Sequence, residues 1–381
     1  MERAKVNEID LPASRRVLVI SDVHGNRDFF WSLLGALDFS PEDELIVLGD
    51  LLEKGEDSLT LLREVMALSN THRVHMLCGN CDNLTYNFAD GNPDIPQSFY
   101  ESYIFKWGEK CILRQMADEL GLPLRTPADF PALRRAIRAH YRPELDFLRS
   151  LPTILRSGPF LFVHGGVPRE QDLETLSAWP CMKNDDFLGQ GLSFRRWVVV
   201  GHWPVTLYHP SIPSARPLLL PERHIISIDG GCQLKWDGQL NALILPAGDH
   251  TAFQWAAWDG LPMGEALDSQ APSGDSINIR WSENPVEVLE PGPEFSRCRH
   301  LASGRELDIL TSYLYQSGGV TRCEDSTDYR LPVTPGDRLS IVRETSRGYL
   351  AKREGVTGWY SGRVRPLPTR IVPKPLLPSA L

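Results

Sequence analysis

Residues 16–26 read RVLVISDVHGN, a short apolar run that breaks off into an aspartate, a histidine and a glycine within a few residues. Val17, Leu18, Val19 and Ile20 are β-branched or aliphatic without polar alternation, which predicts a strand buried on both faces. Asp22 and His24 then stand at its carboxyl end, the edge of an open α/β sheet where ligands bind. A carboxylate and an imidazole two residues apart reach one metal ion from one turn, and Gly25 lets the backbone pass close to whatever is bound. Alone, Asp-x-His is more often an ordinary turn beside a hydrogen-bonded histidine than a metal site. The rest of the chain decides between the two.

Outward from this stretch the same pattern recurs. Residues 28–37 carry Phe29, Phe30, Leu33, Leu34 and Leu37 at helical spacing. Residues 44–48 form a second apolar strand that delivers Gly49-Asp50. Strand, helix, strand is one parallel crossover, so Asp50 is expected on the same rim as Asp22. A helix over 58–68 leads to a third strand at 72–77 and to Cys78-Gly79-Asn80-Cys81-Asp82. Residues 83–150 read as a helical insertion beside that rim. Strands at 159–163, 197–200 and 224–228 end in His164-Gly165-Gly166, Gly201-His202-Trp203-Pro204 and Asp229-Gly230-Gly231. Another strand spans 240–245, and a catalytic unit of residues 1–258 closes there. Residues 259–300, rich in Pro, Ser, Gly and acids, read as a linker. Residues 301–381 carry closely spaced short strands, a small β domain.

The 381 residues, 42% of them hydrophobic, can bury one large core and a smaller one. No apolar run reaches the length that crosses a bilayer, and the N-terminus lacks the apolar segment of a secretory signal. Seven irregularly spaced cysteines do not resemble a disulfide framework, which points to a reducing, cytoplasmic location. The formal net charge of −9 offers no electrostatic footprint for nucleic acid.

Asp22, His24, Asp50, Asn80, His164 and His202 supply ligands enough for two cations with one carboxylate free to bridge. Two divalent ions roughly 3.5 to 4 Å apart clamp the attacking and leaving oxygens of an in-line displacement and generate hydroxide near neutral pH. The mixed oxygen and nitrogen set suits Mn, with Fe or Zn as alternatives, better than Ca.

The five blocks SDVHG, GDLLEKG, GNCD, VHGG and GHWPV together resemble the signature of calcineurin-like metallophosphoesterases. Their order is most similar to the phosphoprotein phosphatase branch, which includes bacterial serine/threonine phosphatases and diadenosine tetraphosphate hydrolases. The resemblance covers roughly residues 16–245 and rests on five blocks in order, a far more specific signal than any one. It implies an α/β (α+β) fold, a four-layer α/β/β/α sandwich. It also implies that Asp22 and His24 bind one ion, Asp50 bridges, and Asn80, His164 and His202 bind the second. Asp82, Glu53 and Lys54 fall in the catalytic blocks.

Two departures bear on the chemistry. Where that branch has a histidine after Gly-Asn, its proposed general acid, this chain has Cys81. A thiol donates a proton to an alkoxide less readily than an imidazolium, and a lost general acid typically costs about 10² to 10⁴ in rate. The cost is smallest for aryl phosphates, activated diesters and phosphoanhydrides. Glu53-Lys54-Gly55 stands where Asp-Arg-Gly is usual, and Lys54 lacks the two-pronged grip of arginine. Arg195 and Arg196, just before the fifth strand, are candidates to supply it, unless they are simply solvated. Trp203 either walls a cleft or packs beneath the rim.

The C-terminal stretch, with Gly336-Asp337 and Gly358-Trp359, resembles an SH3-like module and is expected to dock within the chain or to bind a protein partner. The reading as a whole is a dinuclear phosphoesterase, protein phosphatase-like, acting on a phosphorylated protein or a nucleotide, without nucleic acid or membrane. Nucleotide phosphodiesterase or diadenosine tetraphosphate hydrolase activity is the alternative. A feebly active, phosphate-recognising scaffold is the rival from another class.

Overall fold

Val17–Ile20 lies in the middle of a six-stranded sheet, as a run without polar alternation must if both of its faces are covered. The computed structural model describes residues 2–368 and 373–379. Glu44–Val47 runs parallel beside Val17–Ile20, and Arg73–Met76 runs parallel beside that. On the other side come Leu240–Leu245 and Gln254–Trp258, both antiparallel. Side chains alternate across the sheet. Leu18, Ile20, Leu45 and Val47 face helices Arg27–Ala36 and Ser58–Leu68, while Val17, Val19 and Ile46 face a second sheet. Each such aliphatic side chain fully buried contributes roughly 1.5 to 3 kcal/mol.

The second six-stranded sheet holds Phe160–Val163, Trp197–Val200 and Ile225–Ser227 in parallel. Ile154–Ser157, Val6–Glu8 and Leu218–Leu220 complete it. Phe160, Phe162, Val199 and Ile226 pack against the first sheet, and Leu161, Val163, Val198 and Ile225 pack outward beneath the short helix Ala178–Met182 and its flanking turns. Four layers result, helices outside two facing sheets. Six strands run the same way in two parallel trios, so their carboxyl ends, and the polar clusters after them, open on one rim. Beside it, residues 83–150 are helical, including Asp82–Asp90, Gln97–Trp107, Ile112–Glu119, Phe130–His140 and Arg142–Ser150.

The C-terminal third departs from the expected division. Residues 259–300 are not a loose linker but hold the strands Met263–Ala266, Val286–Glu290 and Phe295–His300. In Phe295–His300, Ser296, Cys298 and His300 are buried while Arg297 and Arg299 face out, an alternation hidden by its charged half. Met263–Ala266 pairs with Arg338–Thr345 and Val364–Leu367 in a five-stranded sheet that also includes Gly348–Arg353 and Val356–Tyr360. Nor do residues 301–381 stand apart from the core. Lys374–Pro375 pairs with Gln254–Trp258 at the edge of the first sheet, and Leu376 enters the core between the sheets. Among the described residues no helix is long and apolar enough to cross a membrane.

Candidate metal centre

The loops after the strands are laced to one another by backbone hydrogen bonds. Asp22 N–H donates to Gly49 O, His24 N–H to Asp50 O, and Gly201 N–H to His164 O. This lacing holds Asp22 (φ 55°), His24 (φ 51°), Asp50 (φ 50°) and His202 (φ 66°) in the left-handed region. Such strain persists only where the surroundings over-determine it, and it clusters at functional sites. The loops also meet too closely for side chains at two glycines. A Cβ on Gly79 would stand 2.2 Å from Asp50 Oδ1, and one on Gly201 would stand 2.5 Å from Asp22 Oδ2.

The structure brings Asp22, His24, Asp50, Asn80, His164 and His202 together. His24 Nε2 is 3.8 Å from Asp22 Oδ1 and 3.9 Å from Asp50 Oδ2. His164 Nε2 is 3.4 Å from Asp50 Oδ1 and 3.3 Å from Asn80 Oδ1, and the His164 and His202 rings are 5.2 Å apart. Asp50, His164 and His202 form one group of donors within 4.8 Å of one another, and Asp50 with His24 and Cys81 forms a second, so Asp50 belongs to both.

The residues fit metal ions. Asp22 Oδ1 is buried with no hydrogen-bond partner, although its Oδ2 accepts from Ser21 and from the His202 N–H. His24 Nδ1 donates to Leu52 O and His164 Nδ1 to Leu48 O. A carbonyl can only accept, so both rings carry hydrogen at Nδ1 and turn Nε2 toward the site. Burial, then Lys54, brings His24 down to about 3, and burial with the charge of His164 brings His202 down to about 4. Both are neutral imidazoles at ordinary pH. Burial opposes charge on His164 as well, but Asp50 and Asp22 outweigh it and raise it to about 9. In the same way the facing His164 overcomes burial and holds the Asp50 carboxyl well below its usual range.

Two residues expected to be catalytic sit behind this centre. Asp82 is fully buried and accepts the backbone N–H groups of Asp50 (2.8 Å), Leu52 (3.2 Å) and Gly79 (2.9 Å). It braces the second loop against the third and is therefore a positioning residue. Asp82→Asn puts an amide donor against those donors. It is expected to weaken manganese binding by about 10- to 100-fold, read by calorimetric titration with the fold checked by circular dichroism. Unchanged affinity would show that the brace does not act on the centre.

Glu53 also has no exposed surface. Its Oε1 accepts from the Cys111 thiol, and its Oε2 is buried without a partner. Burial pushes its carboxyl up to about 8 against an ordinary 4.5. The folded chain then holds a proton that the unfolded chain has released, so this carboxyl lowers stability progressively as pH rises from about 4.5 to about 8. Glu53→Gln has no such loss. In urea unfolding of the metal-free protein, the variant is expected to match the native chain near the lower pH and to exceed it by about 1.4 kcal/mol more per pH unit, levelling off above the upper one. A gap independent of pH would refute the assignment.

Lys54 Nζ lies 3.3 Å from His24 Nε2, and both Lys54 and Cys81 line the cavity over the centre. The Cys81 N–H donates to Asp50 Oδ1. Arg195 and Arg196 do not reach the site. They precede Trp197–Val200, so they lie at the opposite rim, where their N–H groups bond to Glu170 and Arg196 Nε donates to Gly158 O. The cations near the centre besides Lys54 include Lys183, whose Nζ is 3.3 Å from His202 Nε2. Asp185 Oδ1, at 2.9 Å, also holds that nitrogen. Sequence reasoning missed Lys183 and Asp185, which arrive on an irregular loop without a motif.

A bis(5'-nucleosyl)-tetraphosphatase (symmetrical) of Glaesserella parasuis is 30% identical over 179 residues, 46% of this chain and 53% of that protein. The protein of the same description from Erwinia tasmaniensis is 45% identical over 65 residues, 17% of this chain and 23% of its own. The chain thus spans about half the length of the first of these relatives and less of the second. Among solved structures, the cold-active protein-tyrosine phosphatase of a psychrophilic Shewanella is similar at 15% identity and a TM-score of 0.39, over 68% of this chain and 80% of that one. A metallophosphoesterase from Sphaerobacter thermophilus is similar at 15% identity and a TM-score of 0.34, over 64% and 88%. Residues 15–228, more than half of the chain, match the family described as calcineurin-like phosphoesterase. With its His and Asp donors gathered on one rim, the chain belongs to the calcineurin-like phosphoesterases.

Proposed function

We propose that this chain hydrolyses phosphate esters at a dinuclear centre of the serine/threonine protein phosphatase kind, with weak turnover of alkyl monoesters. The observation that carries the reading is the pair of donor clusters sharing Asp50. Asp22 and His24 would hold one ion and Asn80, His164 and His202 the other, with Asp50 between them. Manganese is the proposed metal, and iron or zinc suits the same donors. Such a pair supplies Lewis acidity and a nucleophilic hydroxide.

The remaining roles belong to the chain itself. Lys54 offers positive charge to the phosphoryl oxygens, and Asp185 holds the His202 ring by its Nε2. Cys81 stands where a proton donor would stand, yet burial and the charge of Asp50 push its thiol well above the ordinary range, so it gives a proton reluctantly. That thiol also favours a second reading, hydrolysis of a nucleotide diester or a dinucleoside polyphosphate, whose leaving groups need least help. The seven cysteines, all free and buried, support a reducing cytoplasmic setting.

A parallel assay with manganese on a phosphoserine peptide, bis(p-nitrophenyl) phosphate and diadenosine tetraphosphate tests the proposal. Turnover of the peptide supports the leading reading, and turnover confined to the other two supports the second. Metal binding without turnover of any would replace both with a phosphate-recognising scaffold.

A further inference from the structure

Exposed tryptophan leaves a large apolar surface in water, and here it is concentrated in one place. Trp179, Trp236 and Trp281 are 45%, 65% and 55% exposed, and all three line a single cavity of about 660 Å³. Asp50, Asn80 and His202 line the same cavity, so it is continuous with the metal centre. Trp203 lies within the segment that matches the family, whereas Trp236, just before the strand Leu240–Leu245, and Trp281, Tyr313 and Trp359, from the C-terminal β region, lie beyond it.

The C-terminal wall is tied to the loop that follows His202. Asn278 Nδ2 donates to Thr206 O at 3.2 Å and to His209 O at 2.7 Å, and Arg280 Nη1 donates to Leu207 O at 2.8 Å. These bonds seat Trp281 against Trp203 with ring centroids 6.0 Å apart, tilted by 44°. Charge is divided along the cavity. Lys54 and Lys183 lie at the metal end, and Asp237, Asp308, Glu324 and Asp325 line the far wall. Lys235 alone pairs with both Asp237 and Asp325, at 3.1 and 3.0 Å, and Arg347 pairs with Asp308, so these carboxylates outnumber the two cations. Glu324 has no cation against it among the described residues.

We infer that this cavity is a binding subsite, built jointly by the core and the C-terminal β region, for a flat aromatic ring carried on the phosphate ester. The inference rests on the phosphoesterase reading, which places the phosphate at the metal end. A cavity of this volume is far larger than a phosphate and lies within the range of pockets that enclose a ring-bearing ligand. Tryptophan faces stack on aromatic rings, and a negative far wall repels a second phosphate while accepting an uncharged ring or its amino groups. Two sources supply this chemistry, a nucleobase and a simple aryl group.

The full chain loaded with manganese is titrated with adenosine 5'-monophosphate, phenyl phosphate and ribose 5-phosphate, followed by calorimetry. The ring-bearing ligands are expected to bind about 5- to 100-fold more tightly than ribose 5-phosphate. Trp281→Ala removes that margin and leaves ribose 5-phosphate unchanged. Since Trp281 is more than half exposed, truncation empties no core, and Trp236→Ala, on a separate segment, is expected to act in the same direction. Preference for the monophosphate nucleotide over phenyl phosphate assigns the ring to a base, and the reverse assigns it to an aryl group. Equal binding of ringed and ringless ligands, or equal loss of both in Trp281→Ala, overturns the subsite. Hydrolysis of bis(p-nitrophenyl) phosphate is followed in parallel. Ring-selective binding without turnover overturns the phosphoesterase reading alone, and turnover without ring selectivity overturns the subsite alone.

Discussion

Cys81→His is expected to raise turnover of alkyl phosphate monoesters by about 10²-fold or more, while aryl esters and anhydrides gain little. The alkoxide leaving group of an alkyl ester needs a proton in the transition state, and an aryloxide or phosphate largely does not. Cys81 opens the helix Asp82–Asp90, lines the cavity, and lies within 4.8 Å of donors on His24 and Asp50. Its thiol is held well above the ordinary range by burial first and by Asp50 second, the wrong direction for an acid that must give up a proton. An imidazole at this position faces the same Asp50, whose charge favours the protonated ring. The measurement is kcat on a phosphoserine peptide and on p-nitrophenyl phosphate for both proteins at equal metal loading. A variant that gains equally on both substrates, or on neither, removes proton donation from the account of substrate choice.

The clustering of these Asp, Asn and His side chains was legible in the sequence because each one follows an apolar run that stops abruptly. In a parallel arrangement every such stop lies on one rim, so runs ending in Asp22, Asp50, Asn80, His164 and His202 imply a common site before any distance is measured. The same logic, carried one step further, places Arg195 and Arg196 elsewhere. They precede their strand, and residues before a parallel strand belong to the opposite edge of the sheet, however near they are to His202 in the chain. Asp82 and Glu53 sit inside recognisable blocks, yet spacing alone does not say whether a carboxylate faces the cavity or braces backbone N–H groups behind it. Lys183 and Asp185 reach His202 from a segment without periodicity, which leaves no pattern to read. Strands of three residues such as Val6–Glu8 and Leu218–Leu220 are too short to show alternation. In the C-terminal third, charged residues on one face of each short strand masked the buried face, and so concealed that this region is a wall of the site.

Lys352→Met is expected to destabilise the protein by about 3 to 5 kcal/mol and to loosen that wall. Lys352, on the strand Gly348–Arg353, is almost wholly buried, with Nζ 3.1 Å from Asp259 Oδ2 and 3.1 Å from Gln239 Oε1. Leu240 and Trp258 are paired in the first sheet, so Gln239 and Asp259 flank one rung of the catalytic core, and a single ammonium joins both to the C-terminal sheet. Methionine retains the length and the apolar stem but leaves the Asp259 carboxylate, only 15% exposed, without its cation. The desolvation of that charge then goes uncompensated, which is why removing one partner costs more than removing both. Lys352→Met with Asp259→Asn is therefore expected to recover part of the loss, and urea unfolding of the two single variants and the double variant reads the coupling. A loss under about 1 kcal/mol in Lys352→Met, within the range of exposed pairs, would mean that the C-terminal sheet is held by its apolar contacts. If the full loss appears, manganese affinity should survive while preference for ring-bearing phosphates declines, because Asp22, His24 and Asp50 stand on core strand ends and Trp281 does not.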